Sequence, residues 1–161
     1  MRPPVKLAVY RCGASLWPMF RDYHYLSGSL ACHARCYCAV YQDRPIAFIA
    51  VMNIHMRAQY YRVHRLVVLP DYQGIGVGKR LLNFVADLYT SQTKRPFYVI
   101  TSNPQLVRGS LGDWKVMRSG HASRGRGDTR INAEIRSSAS RKRVTTTLSY
   151  CPKREVPLYD G

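Results

Sequence analysis

His64-Arg-Leu-Val-Val-Leu-Pro-Asp-Tyr-Gln-Gly-Ile-Gly-Val-Gly-Lys-Arg-Leu-Leu-Asn-Phe84-Val85 is the stretch that decides the fold of this 161-residue chain. Leu66 to Leu69 is an apolar, β-branched run and reads as a buried strand. Pro70-Asp71 ends it, because proline cannot donate to a strand ladder. Glycines at 74, 76 and 78 follow, and then Leu81, Leu82, Val85, Ala86, Leu88 and Tyr89 recur at helical spacing. A strand, a glycine-rich turn and a helix start leave free backbone N–H groups at the positive end of a helix dipole, a site suited to phosphate. The glycines do not spell G-x-x-x-x-G-K-S/T or G-x-G-x-x-G, so the two common nucleotide loops are excluded.

Gln73-Gly74-Ile75-Gly76-Val77-Gly78 resembles motif A of the GNAT N-acetyltransferase superfamily: Gln or Arg, two residues, Gly, one residue, then Gly or Ala. The preceding R-L-V-V-L-P-D-Y and the following K-R-L-L extend the likeness. The resemblance implies an α/β GNAT acyltransferase fold, with a mixed central sheet of six to seven strands flanked by helices. It also implies acetyl-CoA or another acyl-CoA as cofactor. The amides of Gln73, Gly74, Ile75, Gly76, Val77, Gly78 and Lys79 would take its pyrophosphate, and the strand edge at Leu66, Val67 and Val68 its pantetheine arm. An ordinary strand-to-helix turn with helix-entry glycines is the bland alternative.

The length suits a single domain, 1–161, able to bury a core. No run is long and apolar enough to span a membrane, and Met1-Arg-Pro-Pro lacks the apolar segment of a secretory signal, so the expectation is a cytosolic protein without a membrane partner. Five cysteines without a framework spacing read as reduced thiols. Cys32-His33-x-x-Cys36-x-Cys38 has no second ligand pair at the usual spacing, so no metal site is assigned; whether a metal takes part stays open.

The formal charge of +16 points to a polyanionic partner, nucleic acid and by preference DNA. Arg118, Arg124, Arg126, Arg130, Arg141, Lys142 and Arg143 are its densest part, in a tract where Asp128, Glu134 and Glu155 are the acidic residues. Arginine favours forked phosphate contacts. A solvated basic surface, or attraction of the CoA phosphates alone, is the plainer explanation.

Along the chain, Val5–Tyr10 reads as a strand and Ala14–Leu30 as one or two short helices. Arg35–Gln42 and Pro45–His55 are strands joined at Asp43-Arg44, and Tyr60–Leu69 precedes the glycine loop. The helix after the loop extends to Thr90, and Phe97–Thr101 is the next strand. Asn103-Pro104 has the N-cap and first-position residues of a further helix. Trp114–Met117 and Arg143–Tyr150 close the sheet. Between them, 119–142 is rich in Gly, Ser and Arg and reads as a basic flexible insert, with Ile131–Ile135 as a short ordered piece.

Acyl transfer to an amine needs a proton acceptor and a donor for the departing thiolate. Many GNAT enzymes are similar in carrying a carboxylate before motif A and a Tyr after the next strand. Here no Asp or Glu lies between Asp43 and Asp71, and Ser110 falls near the place of that Tyr. His64 and His55 are substitute bases by residue type, since imidazole titrates near neutrality; a hydrogen-bonded or exposed structural role is the alternative for both. Phe20-Arg-Asp-Tyr23-His24-Tyr25-Leu26-Ser27 is unusually polar for a packing helix, and its rings suit stacking on a flat acceptor.

The Tyr-His-Tyr-Leu-Ser segment, the His-Arg-Leu before the loop and Asp113-Trp114 resemble a narrower branch, that of the phage Mom DNA-modification proteins. This likeness implies modification of an adenine amino group, with His24, Arg65, Ser110 and Asp113 around the acceptor; Tyr23 and His64 join the catalytic candidates. An Arg65–Asp113 ion pair of purely structural role is the alternative. The rivals to base modification are acetylation of a small amine or protein amine, and a non-catalytic basic binding module.

Overall fold

The computed structural model describes residues 5–24, 28–110, 112–121 and 144–152. Its strands are β1 (Ala8–Cys12), β2 (Arg35–Tyr41), β3 (Arg44–His55), β4 (Gln59–Val68), β5 (Phe97–Thr101), β6 (Trp114–His121) and β7 (Val144–Tyr150). Its helices are α1 (Pro18–Arg21), α2 (Val77–Gln92) and α3 (Pro104–Ser110), with 3-10 turns at Ala14–Leu16 and Pro70–Tyr72. The strands form one seven-stranded sheet in the order β1-β2-β3-β4-β5-β7-β6. Every neighbour pair is antiparallel except β4 and β5. This is the mixed sheet that the glycine motif implies. Among the described residues, no helix is long and apolar enough to cross a membrane.

The two sheet faces are covered differently. Helix α2 buries Val77, Leu81, Leu82, Val85, Ala86 and Tyr89, residues spaced three or four apart, against one face. They meet Tyr37, Ile49, Val51, Tyr61, Val63, Phe97, Val99, Trp114 and Leu148 in the main core. On the opposite face Trp17 and Phe20 cover Cys36, Phe48, Ala50 and Val67. Phe20 stacks on Phe48 with ring centroids 5.5 Å apart.

The β2–β3 turn is carried by Gln42 (φ 49) and Asp43 (φ 62), one residue earlier than Asp43-Arg44. Successive left-handed residues match the twist of a two-residue hairpin, which fixes the register. Strand β1 runs Ala8–Cys12, two to three residues later than the apolar run at Val5 suggests, because its pairing is set by β2, with Cys12 opposite Cys36. Strand β6 reaches His121, so Ser119 to His121, read from sequence as the start of an insert, pair with Thr146 to Val144. Arg124, Arg126, Arg130, Arg141, Lys142 and Arg143 lie outside the described residues, as do Ile131–Ile135 and Tyr25, Leu26 and Ser27.

Two irregularities shape the site. The β3–β4 register skips between Ala50, opposite Arg65, and Val51, opposite Val63. His64 is therefore an extra residue in β4, a bulge that bends the strand and re-aims its neighbours. Strands β4 and β5 pair only at Tyr61–Phe97 and Arg62–Tyr98. Beyond that they part, which opens the sheet towards the glycine loop.

Candidate active site

The loop is built from its residues outward. Leu69 is extended (φ -59, ψ 145), as a residue before proline must be, and Pro70–Tyr72 turns the chain out of β4. The Gln73 side-chain Nε2 donates to the Val68 carbonyl at 2.9 Å and ties the loop to the strand end. Gly74 (φ 79) and Gly76 (φ 86) then take the left-handed conformation that reverses the chain into α2. Gly78 serves closeness instead: a Cβ there would stand 3.1 Å from Val68 Cγ2. No side chain caps α2. Its first N–H groups, those of Val77, Gly78 and Lys79, have no intrahelical acceptor and face the loop with the positive end of a 16-residue dipole.

This loop opens on a cavity of about 540 Å³ in the gap between β4 and β5. Val63, Leu66, Val67 and Val68 form one wall, Val99, Ile100 and Thr101 the other. Gln73, Gly74, Gly76, Val77, Gly78 and Lys79 close the loop end, while Tyr23, His24 and His64 also line the space. A diphosphate-bearing group fits the loop end on a direct observation. A Cβ added at Gly74 or Gly76 would meet nothing within 4 Å, so open space stands beside both glycines at the loop end of the cavity.

The histidines have distinct surroundings. His64 Nε2 accepts the Ala31 backbone N–H at 3.2 Å, which pins the segment after α1 to the bulge. Burial foremost, then the charges of Arg65 and Arg62, lower its pKa to about 4, so the ring is neutral at pH 7 with its lone pair engaged. His24 lies edge-on to Trp17, ring centroids 6.0 Å apart, and its charge is also felt at His64. His55 is exposed at the end of β3 opposite Gln59 and does not line the cavity. Arg65 donates from Nη1 to the His64 carbonyl at 2.9 Å and from Nη2 to the Ser29 carbonyl at 3.5 Å, so it braces the same segment.

Asp113 stands elsewhere. Its Oδ2 accepts from Asn83 Nδ2 at 3.1 Å and lies 3.9 Å from Lys79 Nζ, while Asn83 Oδ1 accepts from Trp114 Nε1 at 2.7 Å. It lines a second hollow with Phe84, Asp87 and Tyr150 rather than the cavity of His24 and His64. Ser110 is the last residue of α3. Arg118 is exposed on β6. The metal reading has little to work with: Cys32 Sγ and His33 Nδ1 are 3.6 Å apart, Cys36 and Cys38 are buried, and no group of three or more ligating side chains occurs among the described residues.

Sequence reasoning missed Tyr72, Thr101, Gln105 and Leu106 as lining residues, and gave Asn103 only a capping role. Asn103 does cap, its Oδ1 accepting the Gln105 N–H at 3.0 Å. The signal for Tyr72 and Thr101 was their place just past or at the ends of β4 and β5, where the strands part; Gln105 and Leu106 come from the first turn of α3.

A sheet split beside an uncapped helix that follows a left-handed glycine turn defines an acyltransferase-type fold. The chain belongs to the acetyltransferase (GNAT) family, whose model matches residues 8–108. Solved structures agree in fold. IAA acetyltransferase from Bacillus cereus ATCC 14579 superposes with a TM-score of 0.66 at 15% identity, covering 90% of this chain and 99% of that one. Arabidopsis thaliana Naa50, in complex with the bisubstrate analogue CoA-Ac-MVNAL, gives 0.63 at 15% identity over 92% and 100%. The ribosomal-protein-S18-alanine N-acetyltransferase of Escherichia coli gives 0.63 at 12% identity over 92% and 98%. No curated protein matches the chain.

Proposed function

We propose that this protein is an acetyl-CoA-dependent N-acetyltransferase acting on the amine of a small molecule or of a protein. One observation carries the reading: uncapped amides at Val77 to Lys79, behind glycines that leave open space, face a cavity between two parted strands. In this reading the amides of residues 74–79 hold the coenzyme diphosphate, and the β4 and β5 edges flank the pantetheine arm. The bound coenzyme supplies an activated acyl group as a thioester. His24, on the cavity lining, accepts the proton the amine gives up, directly or through a water. Tyr23, from the same lining, protonates the departing thiolate. His64 and Arg65 act one step back, by holding Ala31 and Ser29, a few residues after His24, against β4.

The neighbours support this choice of acceptor by what they are: one is an S18-alanine N-acetyltransferase, and another binds an analogue that joins CoA to an acetylated peptide. Calorimetry with acetyl-CoA, followed by thiol release against a panel of amines and peptides, tests it. Micromolar binding and amine-dependent release that falls at least about a hundred-fold in His24→Ala support the reading, a loss in the range of general-base catalysis. No coenzyme binding refutes it. For an acceptor carried as an ammonium, the rate climbs with pH until the amine is neutral.

A second reading, modification of a base amino group in nucleic acid by a Mom-like chemistry, is favoured by the charge of +16 and by the cavity's lining. None of the described carboxylates, Asp22, Asp43, Asp71, Asp87 or Asp113, lines it. An aromatic amine is already neutral at pH 7 and needs orientation more than deprotonation. Nucleoside mass analysis of DNA from expressing cells, against His24→Ala, decides this: unmodified nucleosides dismiss it.

A further inference from the structure

The register of the sheet places a row of side chains on one surface that neither core cluster uses. Arg62 of β4 pairs with Tyr98 of β5, Tyr98 with Ser149 of β7, and Ser149 with Lys115 of β6. The next row is Ile100, Thr147 and Arg118. Tyr61, Phe97, Val99, Trp114, Leu148 and Tyr150, which flank Arg62, Tyr98, Ile100, Lys115, Thr147 and Ser149 in the chain, are in the α2-side core. Side chains alternate along a strand, and the bulge between Val116 and Arg118 returns Arg118 to a place opposite Thr147, so both rows point to the other face. There the cluster under Trp17 and Phe20 takes its strand residues from β1 to β4 and none from β5, β6 or β7, among those described. Lys115 and Arg118 are exposed and Ile100 is 43% exposed.

The chemistry of this half of the sheet is consistent across both rows: cations at half-buried Arg62 and exposed Lys115 and Arg118, hydroxyls at half-buried Ser149 and Thr147, and an aromatic pair. Tyr60 and Tyr98 meet edge-on, ring centroids 5.3 Å apart. The described carboxylates stand elsewhere: Asp22 beside Arg21, Asp43 and Asp71 in turns, Asp87 on α2 and Asp113 bonded to α2 through Asn83. The surface also runs up to the cavity mouth, since Arg62 is close enough to His64 for its charge to depress that imidazole's pKa.

We infer that this half-sheet is a docking platform for single-stranded nucleic acid. Cations on an open sheet hold phosphates, and tyrosines on it accept bases that a duplex keeps stacked inside. A flat row does not fill a groove, so a single strand fits where a duplex does not. The inference does not depend on the acetyl acceptor being an amine of any one kind, and it places the docking on β4 to β7 rather than on the arginine-rich tract at 124–143.

The test is fluorescence anisotropy with a labelled 20-nucleotide strand, as DNA and as RNA, and the matching duplex, from about 50 mM salt upward. The variants are K115E/R118E, Tyr98→Leu, and R11E/R44E as a control of equal charge change on β1 and at the β2–β3 turn. Melting temperature and acetyl-CoA binding verify that each variant is folded and keep this outcome separate from the coenzyme reading. The single strand is expected to bind several-fold tighter than the duplex. K115E/R118E should weaken it on the order of ten-fold or more and flatten the log–log salt slope by about 1.4, at roughly 0.7 per lost phosphate contact. Tyr98→Leu should cost roughly five-fold or more through lost stacking. Equal losses in R11E/R44E, a duplex bound as tightly as the strand, or no binding at low salt would each overturn the platform.

Discussion

Gly76→Ala is the substitution that most directly separates the loop's fold from its ligand. Gly76 sits at φ 86, ψ 9, as the residue before α2. An alanine there must hold a left-handed conformation that costs L-residues about 1–2 kcal/mol. For a chain of this size each kcal/mol lowers Tm by roughly 2–4 °C, so the variant should melt about 2–8 °C lower. Its Cβ meets nothing within 4 Å, so no internal clash adds to that figure. The methyl instead enters the open space beside the loop, where the proposed reading seats the diphosphate. Losing one charge-assisted hydrogen bond there costs about 1.5–3 kcal/mol, roughly ten- to a hundred-fold in acetyl-CoA affinity. Gly76→Asn sharpens the test, because asparagine tolerates the left-handed region yet still fills the space. It should melt close to wild type while binding as poorly as the alanine variant. Melting by differential scanning fluorimetry and affinity by calorimetry report the two quantities separately. If both variants bind acetyl-CoA like wild type, the amides do not cradle a diphosphate and the reasoning falls.

Asn83→Ala removes the acceptor of Trp114 Nε1, on a residue only 3% exposed, together with a donor to Asp113; it should cost about 1–3 kcal/mol in urea unfolding without altering coenzyme affinity. His64→Gln tests the buried imidazole. Its folded pKa of about 4 lies below the ordinary histidine value, so the unfolded chain takes up the proton first and wild-type stability falls as pH drops from about 6.5 to 4, not above that window. Glutamine can keep an acceptor for Ala31 N–H without titrating, so its melting temperature should decline less than that of wild type across pH 4.5–6.5; parallel curves would show that His64 does not control acid sensitivity. Leu82→Ala, at a fully buried position of α2, should cost about 2–5 kcal/mol by chemical denaturation and serves as the measure of an ordinary core loss.

The fold was legible where local chemistry and tertiary need coincide. Pro70, the glycines and the apolar spacing of Leu81 to Tyr89 each follow from backbone rules that hold before any packing, and the loop and α2 form where those rules place them. Asn103-Pro104 worked for the same reason. The bulge at His64 did not show, because Val-His-Arg-Leu carries no mark of an extra residue; only pairing with β3 creates it. That slip also decides which neighbours face the cavity, so Arg65 as an acceptor-side group could not be resolved from its position alone. Asp113 illustrates the other limit. Its proximity to Trp114 in sequence is real, but its partner Asn83 comes from a helix 30 residues earlier and draws it to the α2 side.

The two-position pairing of β4 and β5 has a consequence for how such a protein changes over time. Where the strands separate, each presents a main-chain edge to the gap, and peptide groups are the same whatever residue bears them. Side chains along that gap are then free to drift so long as the strands still part and the helix still starts bare. A chain with 15% identity to the Bacillus cereus protein can therefore keep a TM-score of 0.66, the shared architecture being written in backbone rather than in residue types.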